Sequence, residues 1–79
     1  MELILYMFET CPFCRKVIRE IEEEGRDDIE YRDIHKNGEY RRELVEIGGK
    51  EQVPCLVIDN RPLYESDDII KWLRDNPHR

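Results

Sequence analysis

Cys11-Pro12-Phe13-Cys14 is the segment of this chain best equipped for chemistry. Two thiols three residues apart lie about one helical turn from each other on one face, the geometry a dithiol–disulfide couple needs. Pro12 suits the first position of a helix, because its missing N–H has no intrahelical partner there and its φ is already helical. Cys11 then stands at the helix start, where free backbone N–H groups and the positive end of the helix dipole face its sulfur. The thiolate is the form those groups stabilise, and the thiolate is the nucleophile. Cys14, one turn deeper, is expected to stay a thiol until it is needed. Cys-x-x-Cys also occurs in zinc sites, but His35, His78 and Cys55 supply no second ligand pair at zinc-ribbon spacing. Cys55 opens an apolar run and reads as a small buried core residue.

The elements that must position these thiols can be read outward from them. Leu3, Ile4, Leu5, Tyr6 and Met7 form a short, buried strand ahead of the motif. The helix after it runs from Pro12 to about Glu24, with Cys14, Val17, Ile18 and Ile21 as its buried stripe and Gly25 as its terminator. Ile29 to Ile34 alternates as a second strand. Asn37-Gly38 punctuates the chain before a second helix that carries Tyr40, Leu44, Val45 and Ile47 and stops at Gly48-Gly49. Val53 and Pro54 precede the apolar run Cys55-Leu56-Val57-Ile58. Asp59-Asn60 marks a turn, Leu63 and Tyr64 a short fourth strand. Ser66 is the expected N-cap of a last helix whose apolar face is Ile69, Ile70, Trp72 and Leu73, and Asn76-Pro77 ends it. The order β-α-β-α-β-β-α implies a mixed four-stranded sheet with helices on both faces.

Composition narrows the function classes. The 79 residues suit one small domain, residues 1–79. The formal charge is −6, from 19 acidic and 13 basic residues, which argues against nucleic acid because phosphate binding needs a basic surface. Glu22-Glu23-Glu24 reads as a solvated helix end. Three cysteines are too few for a secreted disulfide scaffold, the apolar N-terminal run lacks the length and basic leader of a signal peptide, and no stretch has membrane-spanning length. The expectation is a cytoplasmic, monomeric protein with no membrane or nucleic-acid partner.

Glu9-Thr10-Cys11-Pro12-Phe13-Cys14, Val53-Pro54 before a strand, and Ser66-Asp67-Asp68 opening the last helix together resemble a dithiol glutaredoxin, over essentially the whole chain. Leu63 to Ile70 is also similar to the N-terminal domain of glutathione transferases, which shares the thioredoxin-like fold. The resemblance implies a thioredoxin-like α/β fold and a glutathione-dependent thiol–disulfide oxidoreductase. Cys11 would be the nucleophile and Cys14 the resolving cysteine. Val53 would pair strand-like with the cysteinyl part of glutathione, and Pro54 would be a cis-proline. Ser66 and Asp67 would hold the γ-glutamyl end, with Glu65-Ser66 matching the transferase Glu-Ser pair. Glutathione would be a co-substrate with no tightly bound cofactor. The partners would be glutathione and disulfide-containing or glutathionylated proteins.

The departures from the pattern are specific. Phe8 stands where glutaredoxins commonly carry a lysine, three residues before the first cysteine. Arg41, with Gln52 and Lys50 nearby, is the candidate to hold the glycine carboxylate instead. Tyr64-Glu65 replaces the usual Gly-Gly before the last helix, and Phe13, which the resemblance places among the glutathione-binding residues, replaces the common tyrosine of the motif. Two alternatives follow: a dithiol protein reduced by a thioredoxin-reductase-like flavoprotein, and a non-catalytic glutathione-binding or iron–sulfur carrier module. Because the chain stops at residue 79, with no helical second domain, transferase activity proper is not expected.

Overall fold

The computed structural model describes residues 1–78. Its elements are β1 (Leu3–Met7), α1 (Pro12–Glu23), β2 (Ile29–Asp33), α2 (Gly38–Gly48), β3 (Cys55–Ile58), β4 (Arg61–Tyr64) and α3 (Ser66–Asp75). The sheet order is β2-β1-β3-β4, with β1 parallel to β2 and antiparallel to β3, and β3 antiparallel to β4. This is the thioredoxin-like mixed sheet expected from the sequence.

All five residues of β1 are buried, because the strand is central and both of its faces are covered. Leu3, Leu5 and Met7 pack with Cys14, Val17 and Ile21 of α1 and with Ile69, Ile70 and Leu73 of α3. Ile4 and Tyr6 point the other way, into a smaller cluster with Leu44 of α2, Ile34, Cys55 and Val57. Period-two alternation in the strand therefore divides the core into an α1–α3 layer and an α2 layer. Each fully buried Leu or Ile contributes about 1.5–3 kcal/mol. Tyr6 is fully buried, yet its hydroxyl donates to Glu43 Oε1 at 3.0 Å and accepts from Arg32 Nη1 at 3.1 Å.

Local chemistry sets the ends. Asn37 caps α2, accepting from the Glu39 N–H at 2.9 Å, and Gly49 closes it in the left-handed region at φ 80°. Asp59 and Asn60 have φ of 47° and 69°, the positive values a two-residue hairpin turn demands. Pro62 is accommodated because β4 is an edge strand. Gly48 is required by close approach, since a Cβ there would run into the ring and hydroxyl of Tyr64.

Several expectations shift. The second strand stops at Asp33, and Ile34 lies just beyond it as a buried loop residue. The fourth strand starts earlier, at Arg61. Val45 is exposed, because Leu44 alone of α2 points fully into the sheet. Ser66 is not the N-cap of α3. Glu65 takes that place at φ 73° without a side-chain cap bond, so Ser66 becomes the first helical residue and is buried. The cause is the pairing of Tyr64 with Cys55, which holds the strand to its last residue and leaves one residue to turn the chain.

Candidate active site

Cys11 is the N-cap of α1, in extended conformation, with Pro12 at the first helical position. Its Sγ accepts the backbone N–H of Cys14 at 3.4 Å. The sulfur thus occupies the position of a capping side-chain oxygen, on one of the N–H groups that a helix start leaves free. Cys11 is 6% exposed and Cys14 fully buried, and both are free thiols. Burial, with the neighbouring Cys11 as the next contribution, pushes the Cys14 thiol up to about 12. Burial likewise raises Cys55, fully enclosed in the α2 layer, to about 11. Cys14 and Cys55 are therefore protonated and shielded at neutral pH. Iodoacetamide at pH 7 followed by peptide mass mapping is expected to label Cys11 first and leave Cys14 and Cys55 unmodified until the protein unfolds. Equal labelling of all three would contradict this ordering.

Beside the thiols lies a groove of about 380 Å³ lined by Phe13, Gln52, Val53, Pro54, Glu65, Ser66 and Asp67. Its volume lies in the range of small-molecule sites. Phe13 reaches it from between the two cysteines and is exposed. The Val53-Pro54 peptide bond is cis, and Val53 packs against the cluster that contains Cys11 and Cys14. Glu65, Ser66 and Asp67 bring the start of α3 to the opposite wall, where free N–H groups suit an anion.

Seven of the eight binding residues expected from the sequence therefore share one groove. The eighth, Arg41, stands on α2 with its Nε 3.5 Å from Glu51 Oε1 and is not part of the lining. Lys50 places its ammonium 4.4 Å from the Tyr64 ring centroid. Phe8 stacks on His35 with centroids 4.1 Å apart, so an aromatic pair fills the place that the resemblance gives to a lysine. Three polar side chains of the groove already have partners. Gln52 Nε2 donates to Glu65 Oε2 at 2.9 Å, and Lys16 Nζ pairs with Asp67. This pair brings Lys16 to the site, although sequence reading did not place it among the site residues. Its position three residues after Phe13, on the α1 flank that faces α3, is the signal that marks it. Glu9, beside the motif, is neutralised by Lys36 at 2.9 Å.

Among the described residues no three His, Cys, Asp or Glu side chains converge as a metal site, and no helix is long and apolar enough to cross a membrane.

Residues 5–79 match the family model described as "Glutathione S-transferase, N-terminal domain". No curated protein matches the chain. Among solved structures, glutathione transferase Omega 3C from Trametes versicolor superposes with a TM-score of 0.80 at 24% identity, over 95% of this chain and 33% of that one. An unclassified glutathione S-transferase of Bombyx mori gives 0.82 at 23% identity, over 96% of this chain and 36% of that one. A thioredoxin-like protein gives 0.78 at 22% identity, over 94% of this chain and 96% of that one. The chain thus spans about a third of the transferases it matches and nearly the whole of the thioredoxin-like protein.

Proposed function

The chain belongs to the family of glutathione S-transferase N-terminal domains, and on that premise we propose that it is a glutathione-dependent thiol–disulfide oxidoreductase of the dithiol glutaredoxin kind. The observation that carries the reading is the Cys11 sulfur on the Cys14 N–H at the start of α1, beside the groove of Phe13, Val53, Pro54 and Ser66. On this reading residues 1–79 act as one domain, glutathione is a co-substrate, and the partners are glutathionylated or disulfide-containing proteins of the cytoplasm.

The Cys11 thiolate attacks the glutathione sulfur of a mixed disulfide. The Cys11–glutathione S–S bond forms, the original S–S bond breaks, and the other thiol leaves with the electron pair as a thiolate. A second glutathione thiolate then attacks the glutathione sulfur on Cys11 and releases glutathione disulfide and the Cys11 thiolate. With a protein disulfide, the Cys11 thiolate first bonds to one partner sulfur while the other leaves as a thiolate. Cys14 then gives up its proton and attacks Cys11, and the Cys11–partner bond breaks to release the reduced partner. The Cys11–Cys14 disulfide so formed is reduced by two glutathione thiols that leave as glutathione disulfide. Glutathione lies with its cysteinyl backbone along Val53, its γ-glutamyl carboxylate at the N–H groups of Ser66 and Asp67, and its ammonium at Asp67 and Glu65. To bind there it must part Lys16 from Asp67, an exposed pair of the sort worth about 0–1 kcal/mol.

The test is turnover of the mixed disulfide of glutathione and a small thiol, with glutathione, glutathione reductase and NADPH. Catalysed NADPH oxidation is the expected result. Absence of turnover, with the Cys11–Cys14 disulfide still formed by oxidised glutathione, would reject glutathione as donor. One observation favours a second donor: Phe8 is stacked on His35 and Arg41 is engaged by Glu51, so among the described residues the lining of the groove offers no free cation for the glycine carboxylate. Reduction of the oxidised protein by a thioredoxin-reductase-like flavoprotein is the matching assay.

A further inference from the structure

A second cleft, of about 620 Å³, lies on the other flank of α1. It exists because β2 is an edge strand that α1 only partly covers. Tyr31 aligns with Leu5 in the parallel pair, so it shares the α1 face of the sheet, yet it remains 43% exposed. Ile18 of α1 and Tyr31 give the cleft its apolar surface, and Arg15 and Arg19, one turn apart, line the helix wall. The start of α1 therefore separates two depressions. Phe13 looks into the first and Arg15, directly after Cys14, into the second. The reacting sulfurs lie between them.

The charges of the second cleft are unequally spent. Glu9 is paired with Lys36, and Asp33 accepts the His35 N–H at 2.8 Å. Arg15 reaches only the carbonyl of Glu9, at 3.3 Å, and Arg19 has no charged partner among the described residues. Glu22, at the far end near Tyr31, is the opposing carboxylate. Along the helix wall an incoming group thus meets the guanidinium forks of Arg15 and Arg19 before the Glu22 carboxylate, while Asp33, on the strand side, keeps its charge. A disulfide under attack has two halves that diverge from the sulfur attacked. With one half in the Phe13 groove, the other leads toward Arg15.

We propose that this cleft docks the cysteine-bearing segment of the protein substrate, and that the segment carries a carboxylate close to its cysteine and an apolar or aromatic side chain that lies along Ile18 and Tyr31. The proposal rests on the oxidoreductase reading and names the substrate class of that same site.

The experiment compares two glutathionylated peptides, identical except for Asp or Lys beside the cysteine, with a small glutathione mixed disulfide as reference. The wild-type protein is expected to prefer the Asp peptide by about tenfold in kcat/KM at low salt, and the preference is expected to fade as salt screens it. Arg19→Glu is expected to abolish the preference and to leave the small disulfide within about twofold, since it touches only the docking wall. Tyr31→Ala is expected to weaken both peptides and spare the small disulfide. No preference in the wild type, or one unchanged in Arg19→Glu, overturns the proposal. Fluorescence anisotropy of a labelled Asp peptide with Ser in place of its cysteine reads docking without turnover. If the small disulfide is not turned over, the oxidoreductase reading fails, and absence of Arg19-dependent binding in that assay sinks the docking surface on its own account.

Discussion

Cys11→Ser is expected to lower turnover of glutathione mixed disulfides by about a thousandfold or more, because a hydroxyl at neutral pH has neither the anionic form nor the nucleophilicity of a thiolate. Cys14→Ser is expected to do something different. A glutathionylated substrate needs one protein thiol, so this variant should retain turnover within a few-fold. It should lose the reduction of protein disulfides, which requires an intramolecular attack to release the partner. The asymmetry follows from position: Cys11 caps the start of α1 and is slightly exposed, while Cys14 is fully enclosed one turn deeper as a thiol raised to about 12. The same shift fixes the sign of a pH effect on stability. A thiol raised in the folded state keeps its proton where the unfolded chain has lost it, so Cys14 costs stability progressively above its ordinary value of 9.0, up to about 12. Cys14→Ser should flatten the alkaline limb of a pH–stability profile. Full activity in Cys11→Ser, or loss of both reactions together in a folded Cys14→Ser, would contradict these assignments.

Arg26→Ala is expected to give a large loss of stability from a residue far from the chemistry. The Arg26 side chain is 2% exposed. Its Nε and Nη2 fork onto the two oxygens of Asp28 at 3.1 and 2.9 Å, and its Nη1 donates to the carbonyls of Leu73 and Asn76 at 3.1 and 2.8 Å. One guanidinium therefore ties the loop between α1 and β2 to the end of α3 and satisfies carbonyls that the helix terminus leaves open. Removing it strips Asp28, whose side chain is 22% exposed, and both carbonyls at once, at a cost of about 3 kcal/mol. In a domain of this size that should lower Tm by roughly 10–20 °C. A urea melt checks it, with the midpoint reduced and the slope unchanged. Arg26→Lys should recover only part, since an ammonium cannot make the fork. The Arg26 guanidinium holds the Asp28 carboxyl below its usual range, so the pair's contribution is present above the ordinary carboxylate value and is lost as pH falls through the depressed one. The difference between wild type and Arg26→Ala should narrow in acid, and an unshifted midpoint would refute the role.

The residues that announce the chemistry were legible because their physics is local. A buried strand, a proline at a helix start and two cysteines one turn apart need no distant partner to be understood, and α1 ends within a residue of its expected limit. Val53-Pro54 and Glu65-Ser66-Asp67 could be singled out from the resemblance, and the fold brings them into one groove with Phe13 and Gln52. The pairing of Arg41 with Glu51 was not legible in advance, since only the packed chain puts the two side by side. Arg26 and Lys16 were legible as charges but not as partners, for Asn76 and Asp67 are 50 and 51 residues away in sequence.

By itself the sequence determined the element order, the two-layered core and the dithiol motif at a helix start, because periodicity, turn chemistry and capping act over a few residues. The tertiary structure decided which wall each polar group faces, that Ser66 lies inside α3 instead of capping it, and that the two flanks of α1 open into separate clefts. Those outcomes depend on strand register and on which helix covers which part of the sheet, and both are settled by contacts between segments that are remote along the chain.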